Sequence, residues 1–566
     1  MSLAARLPVV LLWHMHQPQY RDALSGEYVL PWTYLHAIKD YTDMAAHLEA
    51  NPRARAVVNF TPILLEQLDE LAERVGRHLT EGTALPDATL ALLGPAPLPQ
   101  SGPERLLLLK ACLRAQRKQM IERFAPYLEL ANIAETLATA ERAVYAADQL
   151  IYDLAVWYHI AWMGETVRRS DALVAALTEQ GRDFRPEQRR QLLVLIGELL
   201  HGVIPRFQRL AFEGRCELSV SPYSHPILPL LLDFQAARAA TPAAPLPQHV
   251  GYAGGAERAS WQVAESIRVF TRHFGMRPQG CWPSEGAIND TTLELLDRHG
   301  FRWAASSGSV LRTSLRAAQA DPDDARSYDR AYSQPDRTLR CCFRDDRLSD
   351  LIGFTYATWR GDDAAHNLVN ELAERARAYA DDPGHVVLIA LDGENAWEHY
   401  PFNGYYFLST LYSALAEHPL LELTTLSDCL APQTPTRPLR HVVAGSWVHG
   451  TLATWMGDPA KNAAWDLLCD GKLALDEELA RGALQAQRRA AAEHQLALCE
   501  SSDWFWWFGD YNPAEAVSQF DQLYRRQLTS LYRLLGRAAP QALSDPISSG
   551  GGDMEHGGVM RRAVAT

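Results

Sequence analysis

The 566-residue chain is poor in cysteine. Its eight thiols (Cys112, Cys216, Cys281, Cys341, Cys342, Cys429, Cys469, Cys499) form no CxxC pair and follow no regular spacing. That pattern excludes a disulfide framework and a zinc module, and predicts reduced thiols in a cytoplasmic protein. Basic charge is also scarce: 54 Lys and Arg stand against 68 Asp and Glu, a net charge of −14. Nothing electrostatic draws such a chain to nucleic acid. No segment reaches the roughly 18 uninterrupted apolar residues of a membrane helix. The short stretch Leu7 to Trp13 runs into His14-Met15-His16 with no small-residue cleavage site, so it reads as a buried strand rather than a leader. Internal repeats are absent as well, which excludes a solenoid.

At 47% hydrophobic residues the chain can bury two or three packed domains. Apolar runs of strand length punctuate it: Val9 to Trp13, Ala56 to Phe60, Cys216 to Val220, Phe301 to Ala305, Leu339 to Phe343, Val386 to Leu391 and Leu421 to Leu426. Helical patterns separate most of them, and that alternation predicts an α/β fold built as a parallel barrel. The gap between the second and third runs exceeds one barrel helix, so residues of about 85–213 read as a helical insertion. Residues 1–432 form the predicted barrel, 433–535 an α-helical C-terminal domain, and 536–566, rich in Ala, Pro, Ser and Gly, a disordered tail.

In such a barrel the chemistry sits where strands end. After the first run come His14, His16 and Gln17, and after the third Tyr223 and His225. Trp282 with Glu285, Arg344, and Asp392 with Glu394 follow later ones. Cleaving a glycosidic bond needs one carboxyl that donates a proton and another that attacks or activates water. Glu285 and Asp392 are the candidates. Alone, each sits in an ordinary polar turn, and plain hydrogen bonding suits His14 with His16 better than a metal pair, since two residues do not make a site.

Taken in order, however, His14-Met15-His16-Gln17-Pro18, Glu217 to Ile227, Gly280 to Asp290 and Leu391 to Tyr400 resemble the motifs of glycoside hydrolase family 57, in its amylopullulanase and α-amylase-like branch. Gly445 to Gly450, Thr454 to Pro459 and Ser502 to Trp507 resemble the segments by which a helical domain closes the active site there. The resemblance spans about residues 7–535. It implies an incomplete (β/α)7 barrel and a retaining double displacement on α-1,4 and sometimes α-1,6 glucans, with Glu285 as nucleophile and Asp392 as acid/base. Retention needs the two carboxyls about 5–5.5 Å apart.

Substrate contacts carried over by the same resemblance are His14, His16, Gln17, Tyr223, His225, Trp282, Arg344, Glu394, Trp397, Trp447, Trp455, Asp503 and Trp504. The implied partner is an α-glucan or maltooligosaccharide; no cofactor, metal, nucleic acid or membrane is called for. Met15, Gln19 and Pro283-Ser284 depart from the commonest pattern and bear on substrate preference. The alternatives are a 4-α-glucanotransferase or branching enzyme sharing the first half-reaction, a metal-dependent deacetylase or mannosidase-like enzyme using His14 and His16, and a glucan-binding protein without turnover.

Overall fold

The computed structural model describes residues 6–552 apart from 323, 383, 432, 433 and 483. Its strands are β1 (Leu7–Met15), β2 (Ala56–Phe60), β3 (Cys216–Val220), β4 (Gly280–Cys281), β5 (Trp303–Ser307), β6 (Tyr332–Ser333), β7 (Arg340–Arg344), β8 (Val387–Asp392), β9 (Leu421–Thr424) and β10 (Arg437–Pro438). Seven of them, in the order β1-β2-β3-β4-β5-β7-β8, pair in parallel and return to β1. The closure between β7 and β8 includes Asp345 N–H donating to Leu388 O at 2.7 Å.

The predicted barrel therefore stands, with one exchange of strands. The run at Leu421 is not a barrel stave: β9 pairs with Leu7 to Val10, alongside the start of β1. The seventh stave is β4, only two residues long, which precedes Glu285 and is too short for a periodicity signal.

Side-chain alternation decides what reaches the barrel interior. Val10, Leu12, Val57, Leu388 and Ala390 belong to the inner cluster, whereas Val9, Leu11, Trp13, Val58, Val387 and Ile389 pack outward on the helices. Two residues further along each strand, His14, Asn59 and Asp392 inherit the inward direction. Register places them side by side, His14 opposite Asp392 on one flank and opposite Asn59 on the other, with Asn59 opposite Ser219. A polar layer at the barrel mouth thus follows from strand period alone.

The β2 to β3 connection carries a series of helices ending in Pro186–Phe212. At the other end, helices Pro459–Arg481, Ala486–Cys499, Ser502–Trp507 and Ala514–Leu535 pack on the barrel. Residues 437 and 438 still join the barrel sheet through β10, so the helical part begins after the boundary expected at 432/433, which itself lies outside the described residues. A buried ion pair ties the parts together: Glu500, fully inaccessible, accepts from Arg258 Nε at 2.7 Å, Tyr252 Oη at 2.7 Å and Gln262 Nε2 at 2.6 Å.

The tail expectation needs correction. Part of the stretch up to 552 is docked: Leu543 is buried, and the Ile547 and Ser548 amides donate to Asp521 Oδ1 at 2.7 and 3.2 Å. A Gly- and Ser-rich segment cannot build its own core, but its backbone can dock on a helix that offers a buried acceptor. The remainder of that expectation, 553–566, falls outside the described residues. All eight cysteines are free, and no helix among the described residues is long and apolar enough to cross a membrane.

Candidate active site

Glu285 occupies a short turn after β4 with φ 58° and ψ 21°, a left-handed conformation uncommon for a side chain other than Gly or Asn. The turn is pinned from across the mouth, where Trp447 N–H donates to Glu285 O at 2.9 Å and Ile288 pairs with Gly445. The carboxylate is 8% exposed. Its Oε2 accepts Trp447 Nε1 at 2.8 Å and its Oε1 accepts Ser502 Oγ at 3.4 Å. Burial, with the nearby Asp392 and Asp503 charges, pushes its pKa up to about 8 against the pull of those two donors.

Asp392 ends β8, and burial raises its pKa as well. Asn395 Nδ2 donates to Oδ2 at 2.8 Å. The glycine between Asp392 and Glu394 is required by close approach: a Cβ on Gly393 would stand 2.3 Å from Met15 Sδ. That contact lets the loop fold back so that Glu394 Oε1 accepts His16 N–H at 3.1 Å and Gln17 Nε2 at 3.2 Å. Glu394 is 1% exposed, and burial followed by Asp392 raises its pKa well above the ordinary value.

Three imidazoles stand beside these carboxyls. His14 and His225 stack at 5.1 Å and His16 and His225 at 3.9 Å. Each is held by its outer nitrogen: His14 Nδ1 to Asn59 Oδ1 at 2.7 Å, His16 Nδ1 to Thr61 Oγ1 at 3.0 Å, His225 Nδ1 to Ser502 Oγ at 2.9 Å. Burial and mutual repulsion lower the pKa of His14 to about 3 and that of His225 well below the usual range, so both are neutral. Trp282 lies 6.5 Å from His14 and meets Trp447 edge-on at 5.3 Å, while the Arg344 guanidinium sits 5.0 Å from the Trp447 ring centre.

Among the described residues, His14 Nε2, His225 Nε2, Trp282 Nε1 and Glu394 Oε2 around this mouth are four buried polar atoms that find no hydrogen-bond partner, and neither does Ser284 Oγ beside Glu285. Each such atom costs about 1–3 kcal/mol unless something bonds to it. Two nitrogens able to accept or donate, one indole donor and one carboxyl oxygen together suit a ligand with several hydroxyl groups.

His16, His225 and Asp503 also offer ligand atoms within 4.8 Å of one another. A metal does not fit their geometry. An ion binds in the ring plane at about 2.0–2.1 Å, whereas the two imidazoles lie face to face at 24°. His16 Nε2 is already engaged by the Asp503 carboxylate at 3.0 and 3.1 Å.

Of the residues predicted from sequence, Glu285, Asp392, His14, His16, Gln17, His225, Trp282, Arg344, Glu394, Trp447 and Asp503 converge here. Four do not. Tyr223, fully buried, donates to Glu66 Oε2 at 2.7 Å, meets His494 and packs on Trp261, at the contact between barrel and C-terminal helices. Trp397 bonds its own loop at Gly393 O and packs on Trp13; Trp504 bonds Leu498 O and packs on Phe520 and Tyr524. Trp455, fully buried, packs near Trp506. In each case an aromatic next to a polar motif serves packing, because such short motifs are bracketed by side chains facing the other way. Sequence reasoning passed over Asn59 and Thr61, and named Asn395 and Ser502 only within their motifs, without a contact role. The end of β2 offered the signal for Asn59 and Thr61, since every other strand end had proved polar.

Fold and site define a class, that of incomplete (β/α)7-barrel enzymes whose mouth carries paired carboxyls. More narrowly, the chain belongs to glycosyl hydrolase family 57, whose sequence profile matches residues 10–442. Members of that family are glycosidases and transferases acting on α-glucans. No curated protein matches the chain. Among solved structures it is similar to a family 57 branching enzyme from Thermococcus kodakaraensis (15% identity, 94% of this chain and 90% of that one, TM-score 0.56). The branching enzyme from Pyrococcus horikoshii is alike at 15% identity, 99% of both chains and a TM-score of 0.56. So is the α-amylase AmyC from Thermotoga maritima, at 13% identity, 95% of this chain, 96% of that one and a TM-score of 0.58.

Proposed function

We propose that the protein is a retaining α-glucan glycosidase that works by double displacement, with Glu285 as nucleophile and Asp392 as acid/base. The observation that carries the division of roles is the unequal set of donors around the two carboxyls. An indole N–H and a hydroxyl meet both oxygens of Glu285 and favour its anion, whereas Asp392 has a donor on Oδ2 alone and keeps room for a proton on Oδ1. Burial raises both pKa values, that of Glu285 to about 8, so below that pH Glu285 keeps its proton, and its two donors lower the cost of the anion against that burial.

In the first half-reaction a Glu285 oxygen bonds to the anomeric carbon as the glycosidic C–O bond breaks, and the leaving oxygen takes the Asp392 proton. In the second, water gives its proton to Asp392, its oxygen bonds to the anomeric carbon, and Glu285 leaves as the anion. The four open polar atoms and the Trp282 face supply hydroxyl bonding and stacking for the sugar in between. The retaining stereochemistry and the α-1,4 or α-1,6 preference belong to this proposal.

Incubation with maltooligosaccharides and with pullulan, followed by sizing of the products and proton NMR of the newly formed anomer, tests it. Shorter products that first appear as the α-anomer support the reading. First appearance of the β-anomer would remove the double displacement, and products longer than the substrate would make the enzyme a transferase. Loss of activity together with a stoichiometric metal on chelation would favour the deacetylase-like alternative, which the stacked imidazoles speak against.

A further inference from the structure

The helix Ser502–Trp507 delivers two side chains to the site from its first turn. Ser502 bonds Glu285 and His225, and Asp503 bonds His16. Six residues cannot hold such a helix in place by its own ladder. Its start is docked by Ser502 N–H to His225 O at 2.9 Å. Its end leaves carbonyls that need donors, and two side chains supply them: Lys461 Nζ donates to Phe505 O at 2.8 Å, and Asn512 Nδ2 to Trp506 O at 3.0 Å and Trp507 O at 2.9 Å.

Asn512 is gripped in turn by the last described stretch of chain. The Gly551 and Gly552 amides both donate to Asn512 O at 3.0 Å, and Ser548 Oγ accepts Gly509 N–H at 3.0 Å. The grip is specific to glycine, since a Cβ on Gly552 would lie 2.1 Å from Tyr511 O, a backbone atom that cannot swing away. The far end of the stretch is anchored on Asp521 by the amides of Ile547 and Ser548.

We propose that Ile547 to Gly552 form a positioning strap for the active site, holding the helix Ser502–Trp507 through Asn512 so that Ser502 and Asp503 stay on Glu285, His225 and His16. A segment whose composition reads as a dispensable tail is then a working part of the enzyme. The proposal rests on the reading of Glu285 as a catalytic group, and its test carries one readout that does not.

In full-length Gly552→Val, hydrogen exchange at the amides of 502–512 should speed up relative to wild type. The kcat on a maltooligosaccharide should fall about tenfold or more, with a smaller change in KM, because misplacing groups that contact the reacting centre costs rate. Both are measured where circular dichroism reports a folded protein. Ser548→Ala, which removes one contact without a clash, should show the same changes in weaker form and serves if the valine variant does not fold. Unchanged exchange would overturn the strap, as would faster exchange with kcat and KM both unaltered, which would make the segment a stabiliser only. If wild-type protein turned over no glucan, the catalytic reading would fail, and exchange alone would decide: protection lost supports the strap, protection kept overturns it.

Discussion

Replacing Trp447 by Phe removes one N–H from Glu285 and leaves an aromatic ring between Trp282 and Arg344. The lost bond, 2.8 Å long to a buried carboxylate, belongs to the charge-assisted kind, worth about 1.5–3 kcal/mol. It favours the anion, so its removal raises the carboxyl pKa; at about 1.4 kcal/mol per unit the rise is about one to two units above its already elevated value. A nucleophile reacts only when ionised, so activity is lost as pH falls through its pKa, and the variant should lose it at higher pH. The acidic limb of kcat/KM against pH should therefore move upward by about one to two units, with about a ten- to hundredfold loss on that limb. The assay is initial-rate hydrolysis of one maltooligosaccharide across pH at fixed ionic strength, with near-ultraviolet circular dichroism to confirm packing. A limb that stays where it was, or moves to lower pH, would refute the claim that the indole eases ionisation of Glu285.

Other expectations follow from the same contacts. Glu285→Gln should abolish turnover and yet stabilise the fold: between pH 4.5 and about 8 the folded carboxyl holds a proton the unfolded one has lost, so stability falls as pH rises through that window. Denaturant melts should show a gain on the order of 1–3 kcal/mol at pH 8 that disappears near pH 4; equal stability at both pH values would contradict the buried-anion cost. Tyr223→Phe should lower stability by about 1–2 kcal/mol and leave kcat/KM within about twofold, since its hydroxyl bonds Glu66 and His494 rather than the site; a large activity loss in folded protein would restore it as a glucan contact. Arg258→Met, which strands the Glu500 charge in the interface, should cost about 3–5 kcal/mol in a urea titration, and a loss under about 1 kcal/mol would show that the interface can hydrate.

Much of the site was legible because strand period converts position into direction. Val10, Leu12 and His14 share one face of β1, as Leu388, Ala390 and Asp392 share one face of β8, so an apolar run ending in a polar residue marks the barrel mouth. Two of the aromatic expectations point elsewhere for the same reason. Trp397 and Trp504 stand beside motif residues in sequence yet point into the packed layers, and without a strand or a long helix around them no periodicity revealed which way they faced. Asn59 was missed although it lies in register with His14, because register is a relation between strands.

What the chain determined by itself was the barrel class, carried by local periodicity, and the ordered motifs that place it in its family, carried by residue type. Tertiary structure decided the rest. It raised the pKa values of Glu285 and Asp392 by burying them, stacked His225 on a pair of histidines from the first strand, and brought Trp447 and Ser502 onto Glu285 from 162 and 217 residues away. It also turned the Gly-rich segment before residue 553 into a docked strap. Such properties depend on dielectric surroundings and on partners far along the chain, which exist only once the chain has folded.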